Sequence, residues 1–164
     1  MVLPGFAPNV PNTDFAVARL NPDGSLDGTF GTGGRLTVPF DLGAGDKSDT
    51  ASAALVQPDG RIVVAGSAEV RGTVNLHGNT PGRDFAAARL NPDGSLDKSF
   101  GGTGKVTVTF GQPDSPANAA FLQPDGRIVL AGSAGFDAIF NGVSSFRNPN
   151  FTSSPLGRAG TSRP

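Results

Sequence analysis

The chain has no cysteine, no tryptophan and no tyrosine, and only one methionine, one histidine (His77) and one glutamate (Glu69) among its 164 residues. Without cysteine there can be no disulfide staple, no cysteine-ligated zinc and no thiol catalysis. Neither sign of charge dominates: 13 Lys+Arg face 14 Asp+Glu, a net charge of −1. The basic footprint of a nucleic-acid binder is therefore missing, and no nucleic-acid partner is expected. No stretch approaches the roughly 18 consecutive apolar residues of a membrane span, so no membrane insertion is expected either. The first thirty residues lack the charged start and apolar run of a signal peptide. Location stays open, with the extracellular space or cell surface expected only for a longer parent. A single His and a single Glu leave few players for acid-base chemistry, and the chain reads as a non-enzyme.

Turn formers are plentiful. Gly 24 and Pro 14 make up about 23% of the chain, just short of the roughly 25–30% typical of low-complexity disorder, which favours a turn-rich globular protein. Self-similarity gives these turns an order. Residues 14–40, DFAVARLNPDGSLDGTFGTGGRLTVPF, recur at 84–110 as DFAAARLNPDGSLDKSFGGTGKVTVTF, identical at 19 of 27 positions. QPDGRIVVAGSA at 57–68 recurs at 123–134 as QPDGRIVLAGSA, identical at 11 of 12. Such periodicity points to a repeat architecture.

Each unit joins short apolar runs through Pro-Asp-Gly. Proline presets the φ of a turn's second residue, aspartate tolerates the third, and glycine supplies the positive φ that follows, so four hairpins are expected at Pro22–Gly24, Pro58–Gly60, Pro92–Gly94 and Pro124–Gly126. The runs between them are short, rich in Val, Ile and Phe and bounded by Gly or Pro, which favours strands over helices. In Arg61 to Ala65, Ile62 and Val64 point one way while Val63 and Ala65 point the other; both faces are apolar and both need cover. In Phe15 to Leu20, Phe15, Val17 and Arg19 share one face, and the small Ala16 and Ala18 share the other with Leu20. The fold class is therefore all-β, with four-stranded antiparallel meander blades stacked as in a β-propeller, the alternative being a sandwich.

The motif DFAxARLNPDGSLDxxFGxxGxxxxxF, followed by LQPDGRIVxAGSA, resembles the bacterial delta-60 repeat over about 14–68 and 84–134. The resemblance implies a β-propeller, often from large exported proteins. The four blade strands are expected at Ala54–Gln57, Arg61–Ser67, Phe85–Leu90 and Ser95–Phe100. This gives an incomplete propeller of one full blade at about 52–108, two outer strands of a preceding blade at 14–40, and two inner strands of a following blade at 117–134. Residues 1–13 read as an N-terminal extension, 14–134 as the repeat region, 69–83 as an inserted loop, and 135–164 as a disordered or non-native tail. Four blades are the usual minimum for a ring. The chain is accordingly expected to be a fragment of a larger bacterial protein, and its open strand edges invite self-association.

Asn21, Asp23 and Asp27, with their copies Asn91, Asp93 and Asp97, place oxygen side chains at alternate positions as calcium loops do. The glycine is misplaced for an EF-hand and no glutamate follows, while turn chemistry already accounts for Pro, Asp and Gly. These six residues are the metal candidates, and calcium is the one cofactor considered. Arg19 and Arg89 sit inside apolar runs and need partners, with Asp14, Asp27, Asp84 and Asp97 at hand. His77 with Glu69 or Asp84 is the remaining acid-base combination, but no Gly-x-Ser-x-Gly elbow accompanies it. Eight of the 13 aspartates occupy repeat-equivalent positions, as scaffold residues do, which argues against a catalytic carboxylate pair. Gly31–Gly34 and Gly101–Gly104 lack the Lys-Ser/Thr of a phosphate loop and read as turns. The expected role is a scaffold or binding surface for a protein or glycan ligand that the sequence does not identify. Two alternatives remain: a calcium-dependent surface or adhesion module, and part of a propeller enzyme inactive on its own.

Overall fold

A computed structural model describes residues 2–9, 12–42, 48–70, 74–75, 78–79, 82–110 and 115–135. Among the described residues eleven strands follow in chain order: β1 (Val2–Asn9), β2 (Asn12–Arg19), β3 (Arg35–Val38), β4 (Thr50–Val56), β5 (Ile62–Val70), β6 (Val74–Asn75), β7 (Gly78–Asn79), β8 (Gly82–Leu90), β9 (Lys105–Val108), β10 (Ala117–Leu122) and β11 (Ile128–Gly132). No helix occurs among the described residues.

The central blade is a four-stranded antiparallel sheet in the order β4-β5-β8-β9. Before it lies the three-stranded sheet β1-β2-β3, and after it the two-stranded sheet β10-β11. The architecture is the expected one: all-β, propeller-type and incomplete. Both faces of the central blade are covered, as the two-sided hydrophobicity of its strands requires. Ile62, Val64, Ala86, Ala88 and Leu90 pack with Phe15, Val17, Phe30, Val38 and Phe40 of the preceding sheet. Val63, Ala65 and Ala87 pack on the other side with Ala120, Ile128 and Leu130. The small Ala86 and Ala88 let the neighbouring sheet approach closely, while their copies Ala16 and Ala18 lie on the half-buried outer face of β2.

Three expectations need correction and one is extended. The fourth blade strand is β9 at Lys105–Val108, not Ser95–Phe100. Residues 95–100 are held in a turn, where the Asp97 N–H donates to the Arg89 carbonyl and the Phe100 N–H to the Asp97 carbonyl. The β-branched run of β9 makes the strand instead. Of the four Pro-Asp-Gly turns, Pro58–Gly60 and Pro124–Gly126 join full strands. The other two close single bridges, Leu20 to Leu26 and Leu90 to Leu96. Residues 14–40 contribute β2 and β3 but are not alone, because the extension before them supplies β1, paired with β2 from Val2–Arg19 to Asn9–Asn12. Finally, 69–83 is not a plain loop. The β5-β8 ladder continues through Glu69–Arg83 and Val70–Gly82, and β6 and β7 pair beyond it, so the insertion forms a hairpin arm.

Candidate functional site

The antiparallel strands give the central blade two distinct ends. One carries the Pro-Asp-Gly turns; the other carries the arm, together with the starts of β2, β4 and β8 and the segment after β3.

At the turn end both repeats build the same unit. The Asp23 carboxylate accepts the N–H (2.9 Å) and hydroxyl (2.6 Å) of Ser25, and Asp93 does the same with Ser95 at 2.9 and 2.7 Å. Asn21 and Asn91 each donate to the hydroxyl of the matching serine at 3.0 Å. Asp27 accepts from the Thr29 N–H and hydroxyl, and Asp97 from those of Ser99. On its other oxygen each takes the Nε of an arginine, Arg19 or Arg89, at 2.8 Å. Those guanidinium groups stack 4.8 Å from the rings of Phe30 and Phe100. Arg61 adds a second cation 3.0 Å from Asp97. Hydroxyl and N–H donors of their own turns hold Asp23, Asp27, Asp93 and Asp97 below the usual carboxylate range, with the arginines adding to the effect at Asp27 and Asp97. The six metal candidates thus all lie in two like turns. Their described side-chain bonds go to neighbouring donors and acceptors of the chain, and a cation already faces Asp27 and Asp97. No group of three or more metal-ligating His, Asp or Glu occurs among the described residues. Of the four aspartates expected near the arginines, the structure brings up Asp27 and Asp97; Asp14 and Asp84 stand at the opposite end of β2 and β8. The two glycine-rich segments, Gly31–Gly34 and Gly101–Gly104, are turns leading into β3 and β9.

At the arm end, Asp49 is buried. Its carboxylate accepts the Phe40 N–H at 2.8 Å and the Glu69 N–H at 3.1 Å, so it ties the end of the first repeat block to β5. Its own N–H donates to the Thr13 carbonyl at 2.7 Å. Burial lifts this carboxyl above the usual range; the two backbone bonds oppose the rise, and the charges of Asp14 and Asp41 add to it. Asp14 is lifted too, first by burial and then by Asp41. Glu69 accepts the Ser48 N–H at 3.0 Å, so it serves the same tie, and Asp84 is buried near it on β8. Their prospective partner His77 lies outside the described residues. Asp49 falls between the repeat blocks, so self-similarity gives no signal for it. An offset of 66 places Ser115 opposite it. Ser115 keeps the backbone bond, donating its N–H to the Arg83 carbonyl at 2.7 Å, but among the described residues its buried hydroxyl has no partner.

A family model described as a beta-propeller domain of unknown function, DUF5122, matches residues 6–30, 57–77, 78–100 and 123–147, more than half of the chain. No curated protein and no solved structure matches it.

Proposed function

The chain belongs to the DUF5122 beta-propeller family, and on that premise we propose that it is a non-enzymatic, delta-60-type scaffold whose arm end is its binding surface. The observation that carries this reading is the duplicated Arg-Asp-Phe unit. Identical contacts at 2.8 and 4.8 Å in both copies support reading these charged side chains as groups that hold the turns of a repeated scaffold. The arm between β5 and β8 extends the ladder beyond the blade, as an element offered for contact would. Fold alone does not carry this conclusion.

Replacing residues 71–81 by a short Gly-Ser turn, which keeps Glu69 and Arg83 in the ladder and in their ties, tests the reading. Cooperative unfolding within a few degrees of the parent is the expected result, and collapse of the blade would contradict it. Turnover of any substrate by residues 1–164 alone would overturn the non-enzymatic part. The calcium-dependent alternative requires Asp23 and Asp27 to give up donors at 2.6–2.9 Å. Titration with millimolar calcium is expected to give neither heat nor a thermal shift, and either signal would favour that alternative.

A further inference from the structure

The junction between the first sheet and the central blade shows what covers each residue of a repeat. There the Asn91–Gly94 turn sits on the preceding sheet. Arg19 donates its Nη1 to the Pro92 carbonyl, the Gly31 N–H donates to the Asp93 carbonyl at 2.8 Å, and Gly94 lies close against Leu36 and Phe30. Lys105 of β9 completes the cover, donating to the Pro39 carbonyl at 2.7 Å and standing 5.7 Å over the Phe40 ring.

Seventy residues on, the same surface stands open. Phe110, the copy of Phe40, is 50% exposed, and Val108, the copy of Val38, is 45% exposed. Among the described residues neither Arg89 Nη1 nor the Gly101 N–H makes the bond of its counterpart. Phe121 and Val129, which correspond to the covered Leu55 and Val63, are exposed as well. That cover corresponds to strands three and four of a blade of which the described residues supply β10 and β11, and among the described residues no strand pairs with the β11 edge.

The chain carries that cover on its other end. Residues 14–40 are the first copy of the block that covers Phe40, and their outer face is equally unfilled. Leu26 is 41% exposed where its copy Leu96 packs against the core. A β-carbon at Gly24 would meet nothing within 4 Å, whereas one at Gly94 would meet three atoms within 3.2 Å. We infer that a second copy of this chain completes the open blade: its β2-β3 unit adds to the free edge of β11, and its Asn21–Gly24 turn docks on the Phe100–Val106 segment. Arg89 Nη1 then takes the Pro22 carbonyl of that copy, the Gly101 N–H takes the Asp23 carbonyl, and Arg35 covers Phe110 as Lys105 covers Phe40. In its own chain β1 holds the edge of β2 that β11 requires, so β1 is the strand exchanged. It is suited to leave, because Pro4 and Pro8 within it have no N–H to donate. The contact is head-to-tail, and such contacts close into rings when the rotation allows.

The absence of cysteine makes the test clean. Val64 of β5 faces Ala88 of β8, so Leu130 of one copy should face Ala18 of the next. The full chain carrying both Leu130→Cys and Ala18→Cys is oxidised, run on a non-reducing gel, and sized by light scattering over a tenfold concentration range. A covalent ladder from a discrete oligomer is the expected result. Three outcomes overturn the proposal: a monomer with free thiols, a monomer with an internal disulfide, and uncrosslinked heterogeneous aggregate. As a second variant that leaves the strands untouched, Leu26→Arg should shift the assembly at least tenfold upward in concentration while the β-sheet signal stays unchanged. An unchanged oligomer mass for this variant also overturns it.

Discussion

Val38 and Val108 hold the same place in two copies of one repeat, as do Phe40 and Phe110, yet the first of each pair is 2% and 5% exposed and the second 45% and 50%. The local structure is not the cause. Phe15 meets Phe40, and Phe85 meets Phe110, at the same 4.8 Å, and β2-β3 and β8-β9 share one register. The difference lies in the neighbour, since a full blade lies over the first pair and two strands lie beside the second. A blade of this family is thus half a packing unit. Its strands and turns form from their own sequence, but its core exists only where another blade is laid on it, as expected for a repeat protein whose stability is shared between units and interfaces.

This contrast can be broken most forcefully at the phenylalanines. Phe40→Ala should cost about 3–4 kcal/mol, the range of buried Phe truncations, and Phe110→Ala about 1 kcal/mol; denaturant unfolding at a concentration where the chain is monomeric measures both. Next come the turn glycines. Gly94 and Gly24 have φ near +92° and +88°, so alanine is strained at either and should cost about 1–2 kcal/mol on that account. At Gly94 the new methyl also meets the Gly31 nitrogen at 2.9 Å, and Gly94→Ala should therefore exceed Gly24→Ala by a further 1–3 kcal/mol or so, as overpacking does. The tie at the arm end follows. Asp49→Ala leaves two backbone N–H groups without their carboxylate and should cost about 2–3 kcal/mol, whereas Ser115→Ala removes an unpaired buried hydroxyl and should be neutral or slightly stabilising. Equal losses at these two positions would remove the distinction between the copies.

The smallest effect is in pH. The carboxyls of Asp23, Asp27, Asp59, Asp93 and Asp97 are lowered in the folded chain. Their contribution is complete above the ordinary aspartate pKa near 3.9 and is lost as pH falls through the lowered values. Asp14 and Asp49 are raised, so they act in the opposite sense: their contribution is present below the ordinary value and is lost as pH rises through the raised ones. Asp14→Asn should flatten the decline on the upper side and leave the acid limb in place, as thermal melts across pH would show.

Much of this was legible in the chain itself. The Pro-Asp-Gly turns, the two-sided strands of the central blade and the need of Arg19 and Arg89 for a carboxylate partner follow from local chemistry, while the choice of Asp27 and Asp97 over Asp14 and Asp84 is made by the fold. The misplaced fourth strand shows the limit. Ser95–Phe100 carries Leu96 and Phe100 at helix- or strand-compatible spacing, but Asp93 and Asp97 hold Ser95 and Ser99 in turns, and such side-chain competition with the ladder is hard to weigh before the bonds are seen. β1 was hidden because it precedes the first repeat block and self-similarity does not mark it; its prolines are tolerated at an edge position. Asp49 was hidden for a different reason: its importance lies in two backbone amides, at Phe40 and Glu69, that are brought to it by the fold.

The central claim, that cover by a neighbouring blade is what separates the two copies, is tested most directly by amide hydrogen exchange at Gly31 and Gly101, measured at a dilution where the chain is monomeric. Gly31, whose N–H reaches the Asp93 carbonyl across the junction at 2.8 Å, should be protected to nearly the level of the core strands, while Gly101 exchanges close to the unprotected rate. Equal protection of the two amides under those conditions would contradict the account.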